Sequence, residues 1–251
     1  MSPEESTPRK TEKLERRFRE QTTQLDARIE DLEAFSYFAS HDLRAPLRSM
    51  RATAEALLED GSAINPTVRE FTTSIVQSAV QMEELIDGIL EFGRLSRADF
   101  EARPVRLLHV FKETVRQLDG QIRETGGHIN IAGDDLLVAG HEPTLVQVLT
   151  NLVANALKFC TPPAVPSATL RAQRDGDWVI VWVEDKGIGI KSRDRERIFH
   201  LFERLHALEE FPGSGVGLAI VKRGTERMGG KVGVESTPGK GSRFWLQLPA
   251  A

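Results

Sequence analysis

The chain is poor in sulfur and aromatic side chains. Of its 251 residues one is cysteine, one tyrosine and three are tryptophan. Cys160 stands alone, so it can form no internal disulfide, and it fits a reducing compartment. No apolar run approaches the roughly 20 residues needed to cross a bilayer, so no membrane insertion by this chain is expected. The first twenty residues are charged and lack the apolar core of a secretion signal. Neither charge sign dominates: 33 Lys and Arg against 37 Asp and Glu leave a net charge of -4, which gives no reason to expect nucleic acid as a partner. A hydrophobic content of 40% supports a folded core and argues against wholesale disorder. The expectation is a soluble, cytoplasmic chain with one large domain or two modest ones.

From Thr11 the pattern turns helical. Leu14, Phe18, Leu25, Ile29, Leu32 and Phe35 recur at steps of three, four or seven, with Glu12/Arg16 and Glu15/Arg19 four apart. This narrow stripe reads as a coiled-coil lead over residues 1–30. The helical pattern runs on to Leu58, breaks across Glu59 to Pro66, and resumes through Val68, Phe71, Ile75, Ala79, Met82, Ile86 and Phe92. Two amphipathic helices joined by a short turn make an antiparallel hairpin over residues 31–100. Alone they bury too little, so a homodimer forming a four-helix bundle is predicted. Past Arg103-Pro104 the texture changes. Helices are predicted over Leu107–Arg123, Thr144–Phe159 and Val216–Met228, with another near Arg195–Leu201. Strands are predicted at His128–Ala132, Leu136–Ala139, Thr169–Arg174, Trp178–Glu184, Lys231–Ser236 and Arg243–Leu248. The fold class is α+β: a helical hairpin, then an α/β sandwich over residues 103–251 with antiparallel strands covered on one face by helices.

Four segments carry chemistry. His41 sits mid-helix in Phe35-Ser-Tyr-Phe-Ala-Ser-His-Asp-Leu-Arg-Ala-Pro-Leu47. A lone helical histidine is most often structural. Here Asp42 can accept a hydrogen bond from one ring nitrogen and leave the other bare, the nucleophilic form. Pro46 distorts the helix one turn later. Asn151, Asn155 and Lys158 lie at i, i+4 and i+7, on one helical face. Amide oxygens suit Mg²⁺ and the lysine can reach a phosphate; a solvated helix face is the bland alternative. Asp185-Lys-Gly187-Ile-Gly189 follows an apolar strand, where a carboxylate can receive an adenine amino group, although ordinary turns use the same residues. Gly213-Ser-Gly215-Val-Gly217 precedes a helix, and bare N–H groups at a helix start bind phosphate. It is neither a Rossmann fingerprint nor a P-loop.

These segments, in this order, resemble the H, N, G1 and G2 boxes of sensor histidine kinases. Phe199-His-Leu-Phe202 looks like the F box and Gly239-Lys-Gly-Ser-Arg-Phe244 like the last glycine box. The similarity covers residues 30–249, and the histidine segment is similar to kinases found behind PAS, GAF and phytochrome sensors. The resemblance implies a dimerisation and phosphoacceptor domain followed by a GHKL-type ATP-binding domain. It implies His41 as phosphoacceptor, Asp42 as its acid/base partner, and Asn155 as the Mg²⁺ ligand with Asn151 nearby. Lys158 would touch phosphate and Asp185 adenine, with Gly187 and Gly189 shaping that pocket. Gly213, Gly215 and Gly217 would line the lid, and Arg204 would help to neutralise the γ-phosphate. The implied partners are a second copy, the receiver domain of a response regulator, and an upstream sensor.

Two positions depart from the family. Ala45 stands where many relatives carry a threonine or asparagine that positions water, which predicts kinase activity with weak or absent phosphatase activity. Cys160 stands where Ser or Thr is common. Asn151 replaces the glutamate of gyrase- and Hsp90-type ATPases, and an amide is no general base, so water is left unactivated. The alternatives are a catalytically weak dimeric scaffold and a stand-alone ATPase.

Overall fold

The computed structural model describes residues 43, 47–58, 65–97, 101–161, 163–205, 211 and 213–251. The predicted coiled-coil lead, His41, Asp42, Ala45, Pro46 and most of the turn before Pro66 lie outside them.

Residues 47–58 form helix α1, and α2 runs from Pro66 to Arg97. Pro66 opens α2 rather than merely breaking the chain, because a first-turn proline loses no helical hydrogen bond. The Asn65 side chain accepts the Thr67 N–H at 2.9 Å. The hairpin is held by Leu47, Ala79, Ile86 and Leu90, all buried, and by Arg51 bonding Glu83 at 2.8 Å. The apolar residues of α2 split into two stripes. Ala79, Ile86 and Leu90 face inward, whereas Val68, Phe71, Ile75 and Met82 remain exposed, as do Leu43, Met50 and Leu57.

The second layer begins with β1 (Arg103–Arg106), predicted as a bare boundary but paired antiparallel with β3 (Leu137–Gly140). The helix predicted over Leu107–Arg123 is two: α3 (Leu107–Gln117) ends at Leu118 and α4 (Asp119–Thr125) turns away. A five-stranded sheet has the order β2-β4-β5-β7-β6, with β2 His128–Gly133, β4 Ser167–Asp175, β5 Trp178–Asp185, β6 Lys231–Thr237 and β7 Gly241–Pro249. It is mixed, since β2 runs parallel to β4 while the other pairs are antiparallel. The antiparallel expectation fails there because a crossover through β3 and a helix, not a hairpin, joins the pair. Helices α5 (Glu142–Lys158) and α6 (Gly217–Arg227) complete the sandwich. The helix expected near Arg195–Leu201 is two 3-10 turns, Ser192–Asp194 and Arg197–Phe199.

Alternation along β5 and β7 sends Val179, Val181, Val183, Phe244, Leu246 and Leu248 inward. They meet Leu145, Val148, Leu149, Leu152 and Val153 of α5, all essentially inaccessible to solvent. Each such side chain contributes roughly 1.5–3 kcal/mol on burial. Val105, Leu107, Val110 and Phe111 join the same core, so the segment from β1 onward folds with the sheet.

Candidate nucleotide site

Helix α5 is amphipathic about the core. Its leucines and valines are buried, which leaves Asn151, Asn155 and Lys158 on the rim of a cavity of about 560 Å³. Asp185, at the end of β5, lines the same space with Gly189. The segment between the F box and α6 closes the remaining side with Arg204, Gly213, Gly215 and Gly217. Gly187 is the exception. It packs behind Asp185, where an added Cβ would strike the Phe159 carbonyl. Glycine there lets the loop pass close to the Phe159 carbonyl.

Asp185 is fixed through one oxygen. Gly187 N–H donates to its Oδ1 at 2.8 Å and Ser242 N–H at 3.0 Å. Burial raises its pKa above the ordinary carboxylate value, and these two bonds partly oppose the rise. The loop after β5 is threaded between α5 and the β6–β7 turn: Ile188 N–H donates to Phe159 O at 3.0 Å, and Gly239 N–H to Ile188 O at 2.8 Å. Gly189 has φ +70°, and an added Cβ would meet the Thr237 carbonyl, so the loop requires glycine there. Ile188, Ile190, Ile198 and Phe244 supply apolar wall around the carboxylate. A flat heteroaromatic ring with an amino group fits this combination.

Two cations, Lys158 and Arg204, line the same cavity. Burial, followed by the nearby Arg204 charge, lowers the Lys158 pKa; Glu84 opposes this. Two like charges held together over a cavity favour an anion between them. Asn151 Nδ2 donates to Gln147 O at 3.2 Å, which commits its nitrogen to the backbone. The lid is tied at both ends. Phe202, with φ +64°, donates its N–H to Gly215 O at 3.0 Å, and Arg204 donates to Phe211 O at 3.1 Å. Phe211 stacks at a tilt on Phe159, their ring centroids 5.0 Å apart. An added Cβ on Gly213 would approach Lys158 Nζ to 2.5 Å.

Sequence reasoning missed the fourth wall. Glu84, Asp87, Gly88 and Glu91 of α2 line the cavity mouth. Leu95 of α2 packs on Val216 and Ile220, with Leu85 and Phe92 alongside. Burial pushes the Glu91 carboxyl up, partly offset by its hydrogen bond with Gln147. Nothing in the local sequence signals the packing of Leu95 on Val216 and Ile220, since it joins residues more than 120 positions apart. Ser242 was also missed as a functional residue, although its glycine box was recognised.

Among the described residues no group of three or more His, Cys, Asp or Glu gathers to hold a metal ion. The donor set nonetheless fits Mg²⁺, which takes one or two protein oxygens and completes its shell with phosphate and water. Asn155 lines the same cavity.

Comparison with known proteins agrees with this geometry. Residues 31–98 match the His Kinase A (phospho-acceptor) domain, and residues 140–251 match the histidine kinase-, DNA gyrase B- and HSP90-like ATPase family. Cyanobacterial phytochrome B of Nostoc sp. is 34% identical over 240 residues, covering 90% of this chain and 30% of that protein. Phytochrome-like protein Cph1 of Synechocystis sp. is 33% identical over 220 residues, 87% of this chain and 29% of that protein. The chain thus spans about 30% of the length of these relatives. The crystal structure of full-length ShkA in complex with AMPPNP superimposes with a TM-score of 0.64 at 29% identity, covering 86% of this chain and 45% of that one. No helix among the described residues is long and apolar enough to cross a membrane. A phosphoacceptor-type helical segment followed by an ATPase-type sandwich, with phytochrome-type kinases as relatives, places the chain in the sensor histidine kinase family.

Proposed function

We propose that this chain is an autokinase that moves the γ-phosphoryl group of ATP to His41 and then to an aspartate on a response regulator. The observation that carries the reading is the single cavity joining Asn151, Asn155, Lys158, Asp185, Arg204 and the lid glycines. Asp185 takes the adenine amino group. Lys158 and Arg204 meet the phosphates, and the backbone N–H groups at the start of α6 face the same anion. Asn155 would hold Mg²⁺, which supplies charge neutralisation when bound. In the transfer, a bare nitrogen of His41 forms a bond to the γ-phosphorus as the bond to the β–γ bridging oxygen breaks. ADP leaves, and Asp42 accepts the proton from the other ring nitrogen. The work is positioning and neutralisation rather than strong base catalysis.

The domain reading is a lead over residues 1–30, a dimerisation and phosphoacceptor domain over 31–100, and a catalytic domain over 103–251. The shared core that begins at Val105 supports the last boundary. The exposed stripes support dimerisation: Leu43, Met50 and Leu57 recur every seven residues, and Val68, Phe71, Ile75 and Met82 at three, four and seven. A second copy laid against both stripes completes a four-helix bundle. The partners are that second copy, a receiver domain and a sensor, in the cytoplasm. Incubation with γ-labelled ATP tests the core of the proposal. Acid-labile, base-stable label on the parent and none on His41→Ala supports it; steady phosphate release that ignores His41→Ala overturns it.

A further inference from the structure

Asp185, Ser242 and Ser236 form one row across three strands at the end of the sheet that borders the cavity. Ser236 and Ser242 are direct cross-strand partners. Asp185 lies one position beyond the Glu184–Arg243 pair and accepts the Ser242 N–H. Ser242 lines the cavity, whereas Ser236 does not reach it. Both serines are buried.

The contacts around Ser236 are consistent with one direction for the hydroxyl protons in this row. Ser236 Oγ accepts the Ile190 N–H at 2.8 Å and donates to the Gly241 carbonyl at 2.8 Å. A carbonyl can only accept, and it is the nearer of the two acceptors, so we place the single Ser236 proton there. At the 3.0 Å contact between the two hydroxyls, where either oxygen could donate, Ser242 is then the donor. Both hydrogens of Ser242 are then engaged, its N–H on Asp185 and its O–H on Ser236. Only oxygen lone pairs remain for the cavity. Ionised Asp185 likewise offers acceptors alone.

We infer that Ser236 is a positioning residue for base selection: by consuming the Ser242 proton it makes this end of the cavity acceptor-only. Such a surface pairs with an exocyclic amine and repels an oxo group at the same ring position. Ser236 acts through Ser242 and touches no ligand. The inference rests on the adenine-nucleotide reading above and adds to it a residue that sets the preference for 6-amino over 6-oxo purines.

The test measures ADP and inosine diphosphate binding to the whole chain by calorimetry. The parent prefers ADP. Ser236→Ala frees the Ser242 hydroxyl to donate into the cavity, and the preference narrows by roughly three- to tenfold, the value of one hydrogen bond. Ser236→Thr keeps the hydroxyl and restores the parent ratio. A purely structural role for Ser236 weakens both nucleotides equally, leaves the ratio unchanged and overturns the inference. Ser242→Ala narrows the preference by itself, and adding Ser236→Ala narrows it no further. If the Ser236 variants do not fold, the Ser242→Ala ratio decides, and an unchanged ratio overturns the inference. A parent that binds neither nucleotide refutes the nucleotide reading itself, a result distinct from a parent that binds ADP with a ratio insensitive to these serines.

Discussion

Replacing Asp185 by asparagine separates what this carboxylate does for a nucleotide from what it costs the empty fold. The asparagine carbonyl can still accept the Gly187 and Ser242 N–H groups that hold Asp185 Oδ1. What changes is the other atom, where an acceptor oxygen becomes an NH₂ donor, which under the proposed function would face the base amine. Loss of a hydrogen bond to a charged group is worth about 1.5–3 kcal/mol. That corresponds to a Kd for ADP raised roughly 10- to 150-fold. The stability effect has the opposite sign. Burial raises the folded-state pKa of Asp185 above its unfolded value, so the folded chain binds the proton more readily. Ionised Asp185 therefore subtracts from stability above the folded pKa, and the penalty fades as pH falls through that value towards the unfolded pKa. Without nucleotide, the asparagine variant is expected to melt at or above the parent temperature near neutral pH. The gap should close in acid. Calorimetric titration with ADP and thermal melts at the two pH values check both halves. Binding within about twofold of the parent, or a lower melting temperature in the absence of nucleotide, would refute the reasoning.

Lys158→Met relieves a half-buried cation repelled by Arg204, so the apo chain should melt no lower than the parent. The stabilisation that added pyrophosphate gives the parent should shrink or vanish in a melting series with that anion. Gly189→Ala forces a left-handed backbone on a residue with a Cβ and presses that atom on the Thr237 carbonyl; a loss of at least 1–2 kcal/mol in denaturant unfolding is expected, and an unchanged midpoint contradicts the loop geometry. Gly88→Ala places a Cβ 2.9 Å from Val216 Cβ, so amides of α2 and α6 should exchange faster while those of β5 and β7 do not. Phe71→Glu puts a charge on the exposed stripe of α2, where Phe71 is 65% exposed. Sedimentation should show the parent as a dimer and the variant dissociating at higher concentration; equal association would count against the bundle.

Much of the fold was legible because burial leaves a period. The α5 leucines and valines sit at helical spacing, so the Asn151, Asn155 and Lys158 face could be read directly, and the structure puts all three on the cavity. Asp175, Gly176 and Asp177 announce the β4–β5 hairpin, and Gly176 takes a positive φ in it. The failures lie where local pattern is silent. Arg103–Arg106 is too short to alternate visibly, and its strand exists only because Leu137–Gly140 pairs with it. The parallel pairing of β2 with β4 depends on a crossover that no dipeptide encodes.

The sequence alone determined which groups are available: a histidine beside an aspartate, two amides and a lysine on one helical turn set, a carboxylate after a strand, and glycines before α6. Side-chain chemistry and helical period are local properties, so they survive without coordinates. Tertiary structure decided how those groups meet. Strand register set Asp185, Ser242 and Ser236 in a row. Packing of Leu95 on Val216 and Ile220 brought the carboxylates of α2 to the cavity mouth. Both depend on contacts between residues far apart in the chain, whose energies arise only once the chain has folded back on itself.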